Sequence, residues 1–309
     1  MEHLDLVAGL LVSPGAEIGA FKTPIPGITP VYVDRFSEYA NEPTMAEYFG
    51  DAADLPFVDS SLNYVATSHV IEHAANPLGA FLEWYRVLRH GGVIYMVVPN
   101  RLAIFDRTRA LTTVDHIVQD YRNNVTQCDG THIDDFVNNV DWKEFSPGTL
   151  DSEVPQKRQE LQQSYQSAIE SGSEINIHFH TFDPESMAEL IQRANDVLPL
   201  NGGRINVERM ETPFPLSQPN GFLVVARIDK PGSMPDIHPL QIFRADARKF
   251  DKPVKPLVHE VEWHEHNFPE ESYLRLHPDV ANAVALRQFE SGYSHFQIFG
   301  RKEGRQVRY

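Results

Sequence analysis

The chain has 309 residues, and its 27 Lys and Arg against 43 Asp and Glu give a formal net charge of −16 at pH 7. Nucleic-acid binding depends on clustered Lys and Arg that neutralise phosphates, so this acidic balance argues against a nucleic-acid partner. The hydrophobic content of 41% is typical of a folded globular chain. Cys128 is the single cysteine, which excludes an intrachain disulfide and a zinc site built on cysteines.

The longest apolar run, residues 93–98, has the length of a strand and falls far short of the about 20 residues that a membrane-spanning helix needs. The N-terminus carries Glu2 and Asp5 where a signal peptide has basic residues. We therefore expect no membrane span and a cytoplasmic location.

Short apolar runs alternate with amphipathic ones over the first hundred residues, which indicates strand–helix units around a parallel sheet. In chain order, the pattern predicts strands at 30–34, 62–68 and 93–98, with a helix at 77–89 that Gly91 and Gly92 end. The predicted fold class is therefore α/β, with a doubly wound, mostly parallel sheet.

After residue 174 the pattern predicts sheet at 174–182 and a helix at 184–194 with Asp183 as its N-cap. Two further strands, at 205–211 and 221–228, complete the predicted sheet.

Three segments lie outside this alternation. Residues 101–174 are polar, with one predicted helix at 155–171, and are too long for a connecting loop, so we interpret them as an inserted lid. Residues 230–266 are rich in proline and predict a linker, and residues 267–309 predict a small helical module. The expected organisation is a main domain at 1–229, the linker, and the C-terminal module.

Residues that follow the predicted strands are the first candidates for ligand contacts, because a doubly wound sheet binds ligands at the carboxyl ends of its strands. An acid after the second strand, here Asp34, suits a ribose, since one carboxylate accepts hydrogen bonds from two hydroxyls. Gly19 follows the first strand and lets backbone approach a ligand without a Cβ. The full set is Glu17, Gly19, Asp34, Asp51, Ala52, Ser68 and His69.

Residues 49–100 contain, in order, GDA, LPF and an acid, a strand, HVIEH, a helix ending in RVL, GG, and a strand ending in PN. This run resembles the middle of a class I S-adenosylmethionine-dependent methyltransferase of the small-molecule type. Upstream, GAEIGAF and YVDR resemble the family's first and second motifs. The resemblance implies a seven-stranded Rossmann-like sheet and S-adenosylmethionine as cofactor, with S-adenosylhomocysteine as product.

The resemblance also implies roles for individual residues. Glu17 and Gly19 would shape the loop around the methionine end of the cofactor, and Asp34 would bind the ribose hydroxyls. Asp51 would meet the adenine amino group, while Ala52 would offer its backbone N–H to the ring. Acids and backbone dipoles of this kind match a cationic, zwitterionic cofactor.

Ser68 and His69 are implied to line the methionine and sulfonium side. The glycine loop departs from the family pattern, because Gly19 is followed by Ala20 and Phe21 and the second and third glycines are missing. Phe21 would crowd the cofactor unless the loop runs differently. A protein that keeps the fold as a non-catalytic binding or scaffold protein is therefore the alternative to an enzyme.

Methyl transfer to a hydroxyl benefits from a general base, most often His, Asp or Glu. We predict His73, His178 and His180 as catalytic candidates, with His116 and His132 as further histidines to consider. In a strand, residues 178 and 180 would present both imidazoles to one face. The run HFH followed by TFDPESM resembles methyltransferases from bacterial surface-glycan gene clusters. It favours O-methylation of a sugar or glycan-related hydroxyl, with a small molecule or glycan as the partner.

Other interpretations of these histidines stay open. His73 would cap its turn or pack below the cofactor, and His178 and His180 would bond to backbone. Two histidines on one face with Asp129 or His132 would also suit a divalent metal. Our prediction nevertheless assigns no metal ligand.

Acceptor specificity is expected from the lid, because loops over a fixed scaffold carry it. Arg107 and Arg109 are candidates there to grip a phosphate or carboxylate of the acceptor. A nitrogen acceptor or a natural-product intermediate stays the alternative to a sugar hydroxyl.

The last forty residues contain YL, PDV and EGR in an order that resembles a helical module appended to bacterial glycosyltransferases and glycan-modifying proteins. The apolar residues of this segment predict a miniature core: Tyr273, Leu274, Val280, Phe296 and Phe299. Docking to the main domain, to a second copy in a homo-oligomer, or to another protein all stay open.

Overall fold

The computed structural model of the protein describes residues 2–39, 42–232, 242–250, 268–285 and 289–300. The chain divides into two compact units, residues 1–255 and 256–309. Much of the predicted linker at 230–266 lies outside the described residues, so the predicted domain limits stay predictions.

The described residues form the strands β1 (Gly15–Ile18), β2 (Val31–Asp34), β3 (Glu38–Tyr39), β4 (Glu42–Pro43), β5 (Tyr48–Phe49), β6 (Leu62–Ser68), β7 (Leu88–Pro99), β8 (Arg204–Phe214) and β9 (Gly221–Asp229). Seven of these strands form one sheet in the order β5-β2-β1-β6-β7-β9-β8, and β3 and β4 pair separately as a short antiparallel ladder. Neighbours from β5 to β7 pair in parallel, whereas β9 pairs antiparallel with both β7 and β8. This order confirms the predicted mostly parallel, seven-stranded sheet.

The strand order reverses between β1 and β6. From β1 the chain proceeds outward through β2 to β5, and it then returns to the other side of β1 with β6 and β7. The loops that leave β1 and β6 therefore diverge and open a crevice at their carboxyl ends. Gly19 and His69 lie in these two loops.

The helices of the first unit are α1 (Glu2–Val7), α2 (Pro77–Val87), α3 (Val114–Asn123), α4 (Ile133–Asn139), α5 (Trp142–Phe145), α6 (Val154–Glu170) and α7 (Pro184–Val197). Single 3₁₀ turns occupy Ile71–His73, Arg101–Ala103 and Phe105–Thr108. No helix among the described residues is long and apolar enough to cross a membrane.

Helix α2 ends at Val87, two residues before its predicted end. Asn76 caps its first turn by accepting a hydrogen bond from Gly79 N, and Pro77 occupies the first position, where its missing N–H costs nothing. Leu88 is already extended and pairs with Leu62 of β6, so β7 begins where the helix stops. The sequence pattern missed this because Leu88 continues the apolar spacing of the helix.

Apolar side chains cover both faces of the sheet, since alternate residues of a strand point to opposite sides. On β6, Val65 packs in a large cluster with helices α2, α3 and α7, and Trp84 of α2 is fully buried there. Tyr64 and Ala66 pack on the other face with Val7 of α1. Each fully buried side chain of this size contributes roughly 1.5–3 kcal/mol, so both faces hold the sheet firmly.

The lid, residues 101–174, is more helical than predicted. The helix expected at 155–171 is present as α6, but helices α3, α4 and α5 precede it. Apolar residues at helical spacing, such as Ile133, Phe136 and Val137 of α4, pack into a separate cluster that also holds Trp142. This third cluster, called the lid core below, gives the lid a hydrophobic interior of its own.

The strand predicted at 174–182 is wrong. The segment is extended but has no strand partner: Ile175 N donates to Gln127 O, and Phe179 N donates to Glu72 O. Its alternating apolar residues, Ile175, Ile177 and Phe179, are buried in the lid core. The alternation correctly indicated one buried face, but that face packs on helices.

The helix predicted at 184–194 and the strands predicted at 205–211 and 221–228 are confirmed as α7, β8 and β9. Asp183 and Ser186 form a reciprocal capping box at the start of α7, and β8 and β9 close the sheet as an antiparallel pair.

Residues 242–250, which fall in the predicted linker, lie against the β5 edge of the first unit. The ring of Phe243 stacks on Tyr48 with centroids 4.2 Å apart, and Arg244 pairs with Asp54. Val58 N donates to Ile242 O at 3.0 Å. This stretch therefore belongs to the first unit.

The second unit contains α8 (Glu270–Leu276), α9 (Pro278–Ala285), α10 (Gly292–His295) and a π turn at Phe296–Gly300. Its buried cluster consists of Phe268, Tyr273, Val280 and Phe296, with Leu274 packed against it. The side chain of Phe299, also expected in this core, lies outside the described residues.

Candidate active site

An open cavity of about 230 Å³ lies at the carboxyl ends of β1, β2 and β6, where the strand order reverses. Of the residues predicted from the sequence, six line it: Gly19, Asp34, Asp51, Ala52, His69 and His73. Glu17, Ser68, His178 and His180 are not among the lining residues. The strand-end argument thus identified the wall of the cavity, while the candidates drawn from other parts of the sequence mostly lie behind it.

Asp34 ends β2 at the wall of this cavity. Its Oδ1 accepts a hydrogen bond of 3.1 Å from Phe36 N, which fixes the carboxylate at the strand end. Burial raises the pKa of Asp34, and hydrogen bonds from the backbone N–H groups of Phe36 and Arg35 oppose that shift. A carboxylate held in this way can accept hydrogen bonds from a diol.

Arg35 is a cavity residue that the sequence did not single out. Its Nε lies 3.3 Å from Asp51 Oδ2, and its guanidinium also pairs with Glu174 at the end of the lid. Asp51 also accepts a hydrogen bond from Ala53 N in the tight turn at 51–54. Arg35 thus joins the predicted adenine site to the lid.

Glu17 is buried under the loop that follows β1. Its Oε1 accepts a 2.8 Å hydrogen bond from Ile25 N, and its Oε2 has no partner among the described residues. Burial raises the pKa of Glu17 to about 8. Glu17 therefore supports the loop 19–25 from below and does not contact the cavity.

The loop after β1 turns sharply at Gly19, which has φ +69° and donates its N–H to Val33 O. Phe21 also has a positive φ, of 47°, and its ring packs edge-on against Tyr39 with centroids 5.7 Å apart. Both rings belong to the cavity wall, so the phenylalanine at the missing glycine position forms one side of the opening and leaves a cavity beside it.

The loop after β6 brings a buried acid between two histidines. His69 adopts φ 54° and points its Nδ1 towards Glu72 Oε1, 3.6 Å away, and His73 Nε2 lies 3.9 Å from the same oxygen. Neither oxygen of Glu72 has a hydrogen-bond partner among the described residues. Burial raises the pKa of Glu72 to about 8, with the nearby Asp106 adding to the shift.

Burial also keeps the two histidines neutral. It lowers the pKa of His69 to about 4 and that of His73 to about 3, with a further contribution from His178 in both cases. The sequence pointed to His73 but not to Glu72. The HVIEH pattern itself contained the signal, since an acid one residue before a cavity histidine can support it.

His178 lies behind His73, with the ring centroids 4.6 Å apart and the rings nearly perpendicular. Its Nδ1 is 2.5 Å from Asp106 Oδ2. Burial would raise the pKa of Asp106, but His178 and Arg109 outweigh it and hold that pKa below its usual value. His178 and Asp106 therefore form a hydrogen-bonded pair beneath the cavity histidine.

His180 does not share a face with His178, which corrects the expectation drawn from a strand. Its Nε2 is 3.0 Å from Asp120 Oδ2, in a cluster with His116 and His132, while His178 is bound to Asp106. The two imidazoles diverge because the segment 174–182 is not a pleated strand.

The metal site that the sequence analysis left open, two histidines with Asp129 or His132, does not match the groups of residues that the structure brings together. His132 and His180 do meet, but the acid between them is Asp120, while Asp129 accepts a hydrogen bond from Thr131 N in its own turn. Ligand atoms of Glu72, His73 and His178 form a second group, within 4.8 Å of one another.

The two lid arginines are engaged by the protein. Arg109 is fully buried and donates to Asp106, Asp135 and the carbonyl of His178. Arg107 pairs with acids of the lid, among them Asp141. Arg109 therefore ties the lid to the segment that holds His178 and cannot grip an acceptor.

Parts of the sequence are similar to known methyltransferases and to an uncharacterized protein. Residues 28–96 match a family model described as a methyltransferase domain. A probable S-adenosylmethionine-dependent methyltransferase of Mycolicibacterium smegmatis is 42% identical over 53 residues, which is 17% of this chain and 21% of the relative. An uncharacterized transposon protein of Streptomyces fradiae is 32% identical over 106 residues, 31% of this chain and 30% of the relative. The chain thus spans less than a third of these curated relatives.

Solved structures also match this chain at low identity. A possible histamine N-methyltransferase of Thermotoga maritima is 20% identical, with a TM-score of 0.37, 74% of this chain covered and 88% of the other. A phosphoethanolamine N-methyltransferase of Haemonchus contortus, in complex with phosphoethanolamine and S-adenosylhomocysteine, is 12% identical, with a TM-score of 0.40, 77% of this chain covered and 44% of the other.

The family match at 28–96 and the seven-stranded sheet together confirm the predicted resemblance to a class I S-adenosylmethionine-dependent methyltransferase. The resemblances of the HFH run and of the C-terminal segment to glycan-related proteins stay predictions.

Proposed function

We propose that this chain, which carries a methyltransferase domain at residues 28–96, transfers a methyl group from S-adenosylmethionine to a hydroxyl of a sugar or glycan-related small molecule. The observation that carries the proposal is the cavity at the point where the strand order reverses. Its wall combines a strand-end acid, Asp34, with a glycine, Gly19, and a cavity histidine, His73.

The residues present fit the cofactor. Asp34 and Asp51 supply carboxylates where a ribose and an adenine amino group would lie, and Gly19 presents backbone without a Cβ. Acids and backbone dipoles suit a cationic ligand, and among the described residues of the wall Arg35 is joined by neither a lysine nor a second arginine. When bound, S-adenosylmethionine would supply a methyl carbon activated by the adjacent sulfonium, with S-adenosylhomocysteine as the leaving group.

The acceptor side of the cavity is polar. Gln127 from the lid and Asn176, just after the lid, line it together with Tyr39, and Asn176 Nδ2 donates to Tyr39 Oη at 3.3 Å. Amide and phenol groups recognise hydroxyls by exchanging hydrogen bonds with them, which favours a hydroxyl-rich acceptor.

A hydroxyl acceptor also needs its proton removed, and His73 is the base in this proposal. Its ring is neutral at physiological pH, so it can take a proton. Glu72 Oε1 lies 3.9 Å from His73 Nε2, but the pKa of Glu72 is raised to about 8, so Glu72 stabilises an imidazolium only after it has released its own proton. His178, held by Asp106, positions the His73 ring from behind.

Calorimetric titration of the full chain with S-adenosylmethionine and S-adenosylhomocysteine tests the cofactor site. We expect binding of both, and Asp34→Ala should weaken it by about 1–3 kcal/mol, the scale for removing a charged hydrogen-bonding partner. Asp115→Ala is the matched control, since Asp115 is an exposed carboxylate of α3 outside the cavity. Absence of binding would favour the non-catalytic scaffold and overturn the proposal.

Transfer of a labelled methyl group to panels of neutral sugars, nucleotide sugars and amines tests the acceptor class. Labelling of a sugar hydroxyl supports the proposal. Labelling of amines alone would leave a methyltransferase but overturn the hydroxyl acceptor.

A further inference from the structure

Four side chains that commonly bind metals converge at a point outside the cavity. Asp120 Oδ2 lies 3.2 Å from His116 Nε2, 3.3 Å from His132 Nε2 and 3.0 Å from His180 Nε2. The Nε2 atoms of His116 and His132 are 3.0 Å apart. Asp120, His132 and His180 are buried, whereas the side chain of His116 is half exposed.

Hydrogen bonds on the far side of two rings fix which nitrogen faces the cluster. His180 Nδ1 lies 3.1 Å from the carbonyl oxygen of Ala74, which can only accept, so Nδ1 carries the proton. His132 Nδ1 lies 2.9 Å from Thr131 Oγ1. Metal-binding histidines are held in this way, with one ring nitrogen bonded to an outer group and the other turned towards the ion.

This arrangement leaves a mismatch that a cation removes. With Nδ1 protonated, the Nε2 atom of a neutral His180 is a hydrogen-bond acceptor, and it faces the carboxylate of Asp120, also an acceptor, at 3.0 Å. Nearby, the nitrogens of His116 and His132 point at the same oxygen. The lone pairs of His180 Nε2 and Asp120 Oδ2 thus face each other, with two further imidazole nitrogens beside them.

We propose that His116, Asp120, His132 and His180 bind one zinc ion. Zinc bound at about 2.0–2.1 Å in a tetrahedron places its ligand atoms about 3.3 Å apart. The four separations given above, 3.0 to 3.3 Å, are close to that value before any ion draws the ligands into place, and all four ligand atoms lie within 4.8 Å of one another. Three imidazoles with one carboxylate suit zinc, whereas magnesium and calcium prefer sites made of oxygen.

The four ligands come from separate parts of the chain, so the ion acts as a cross-link. His116 and Asp120 are four residues apart on α3 and share one face of that helix, His132 precedes α4, and His180 follows the lid. Four protein ligands fill the tetrahedron and leave no position for a substrate, which is the pattern of a structural site.

The cross-link also reaches the cavity wall. Through its other nitrogen His180 binds the carbonyl of Ala74, and its backbone N–H lies 3.4 Å from Glu72 O. Ala74 lines the cavity. The zinc site therefore holds the lid helices against the turn that carries Glu72 and His73.

Metal analysis of the full chain, purified without a polyhistidine tag, tests this proposal. We expect one zinc per chain, and replacement by Co²⁺ should give the intense visible absorption of tetrahedral cobalt. Asp120→Asn and His132→Gln should each lose the cobalt bands. His90→Gln, which changes a histidine far from the cluster in sequence and half exposed on β7, is the matched control and should keep them.

A stability measurement keeps the test decisive if a variant fails to fold. Removal of zinc by a chelator should lower the melting temperature of the unaltered protein, and added Zn²⁺ should restore it. Unaltered protein that shows no tetrahedral cobalt bands and no change in melting temperature with Zn²⁺ would overturn the proposal, as would bands that survive in both cluster variants. None of these measurements depends on cofactor binding or on activity.

Discussion

Gly19, which follows β1, contacts Val70, which follows β6, across the crevice between these two strands. A Cβ built on Gly19 would lie 2.7 Å from Val70 Cγ2, and Gly19 itself has φ +69°, where other residues are strained. The loop after β1 can therefore pass this close to the loop after β6 only with glycine at position 19.

This contact predicts the effect of Gly19→Ala. The substitution should lower stability by about 1–3 kcal/mol through backbone strain and overpacking, and it should weaken cofactor binding because the loop must move. Gly172→Ala is the matched control: its φ is +73°, but a Cβ there meets nothing within 4 Å. Urea unfolding and calorimetry measure both effects. Equal losses in the two variants would show that the contact with Val70 contributes nothing.

His73→Gln should lower kcat by about 10²–10⁴-fold, the usual contribution of a general base, and should leave the affinity for S-adenosylhomocysteine unchanged. His90→Gln again serves as the control, because His90 is exposed near the amino end of β7, whereas the cavity lies at the carboxyl ends of the parallel strands. Steady-state kinetics with the best acceptor from the panels makes the measurement. An unchanged kcat in His73→Gln would exclude this residue as the base.

The buried Glu17 predicts a dependence of stability on pH. Its pKa is raised from 4.5 to about 8 in the folded protein, so the folded chain keeps a proton that the unfolded chain releases near 4.5. Stability should therefore fall as pH rises from about 5 to about 8 and then level off.

Glu17→Gln should remove this part of the pH dependence, since the amide resembles the protonated acid and does not titrate. The exposed Glu189→Gln should keep it. The comparison uses the midpoints of urea unfolding at about pH 5, 6.5 and 8. These values cover the range between the pKa of Glu17 in the unfolded chain, 4.5, and its pKa in the folded protein, about 8. Identical slopes in Glu17→Gln and the unaltered protein would show that Glu17 titrates normally.

Arg109→Met should lower stability by about 3–5 kcal/mol, because it leaves the buried Asp106 without one of its partners. Arg193→Met removes the surface pair with Asp115, 3.1 Å long, and should cost at most about 1 kcal/mol. Chemical unfolding of both variants compares a buried ion pair with an exposed one. Similar small losses in the two would mean that Arg109 does not anchor the lid.

The sequence could predict the cavity wall because topology alone brings strand ends together. Gly19, Asp34 and His69 each follow a strand of one parallel sheet, and a doubly wound order places those ends around one crevice. No long-range information was needed beyond the recognition of the strands.

The second layer of the site could not be predicted in this way. Glu72 is a candidate because it is buried without a hydrogen-bond partner among the described residues, and Arg35 is one because it contacts Asp51. Neither property can be read from the sequence. His116 and Asp120 are four residues apart on α3, a helix that the sequence pattern did not predict. Their meeting with His180, 60 residues from Asp120, depends on how the lid packs.

The separate core of the lid has a consequence for how such a protein can change over time. Phe136 and Trp142 are buried in the lid core, whereas α3 packs with the sheet, so substitutions in α4 to α6 alter the packing of the lid core and leave the two clusters of the sheet unchanged. Effects on stability add independently when sites share no contacts. New acceptor preferences can therefore accumulate in the lid while the strands that position the cofactor site keep their sequence.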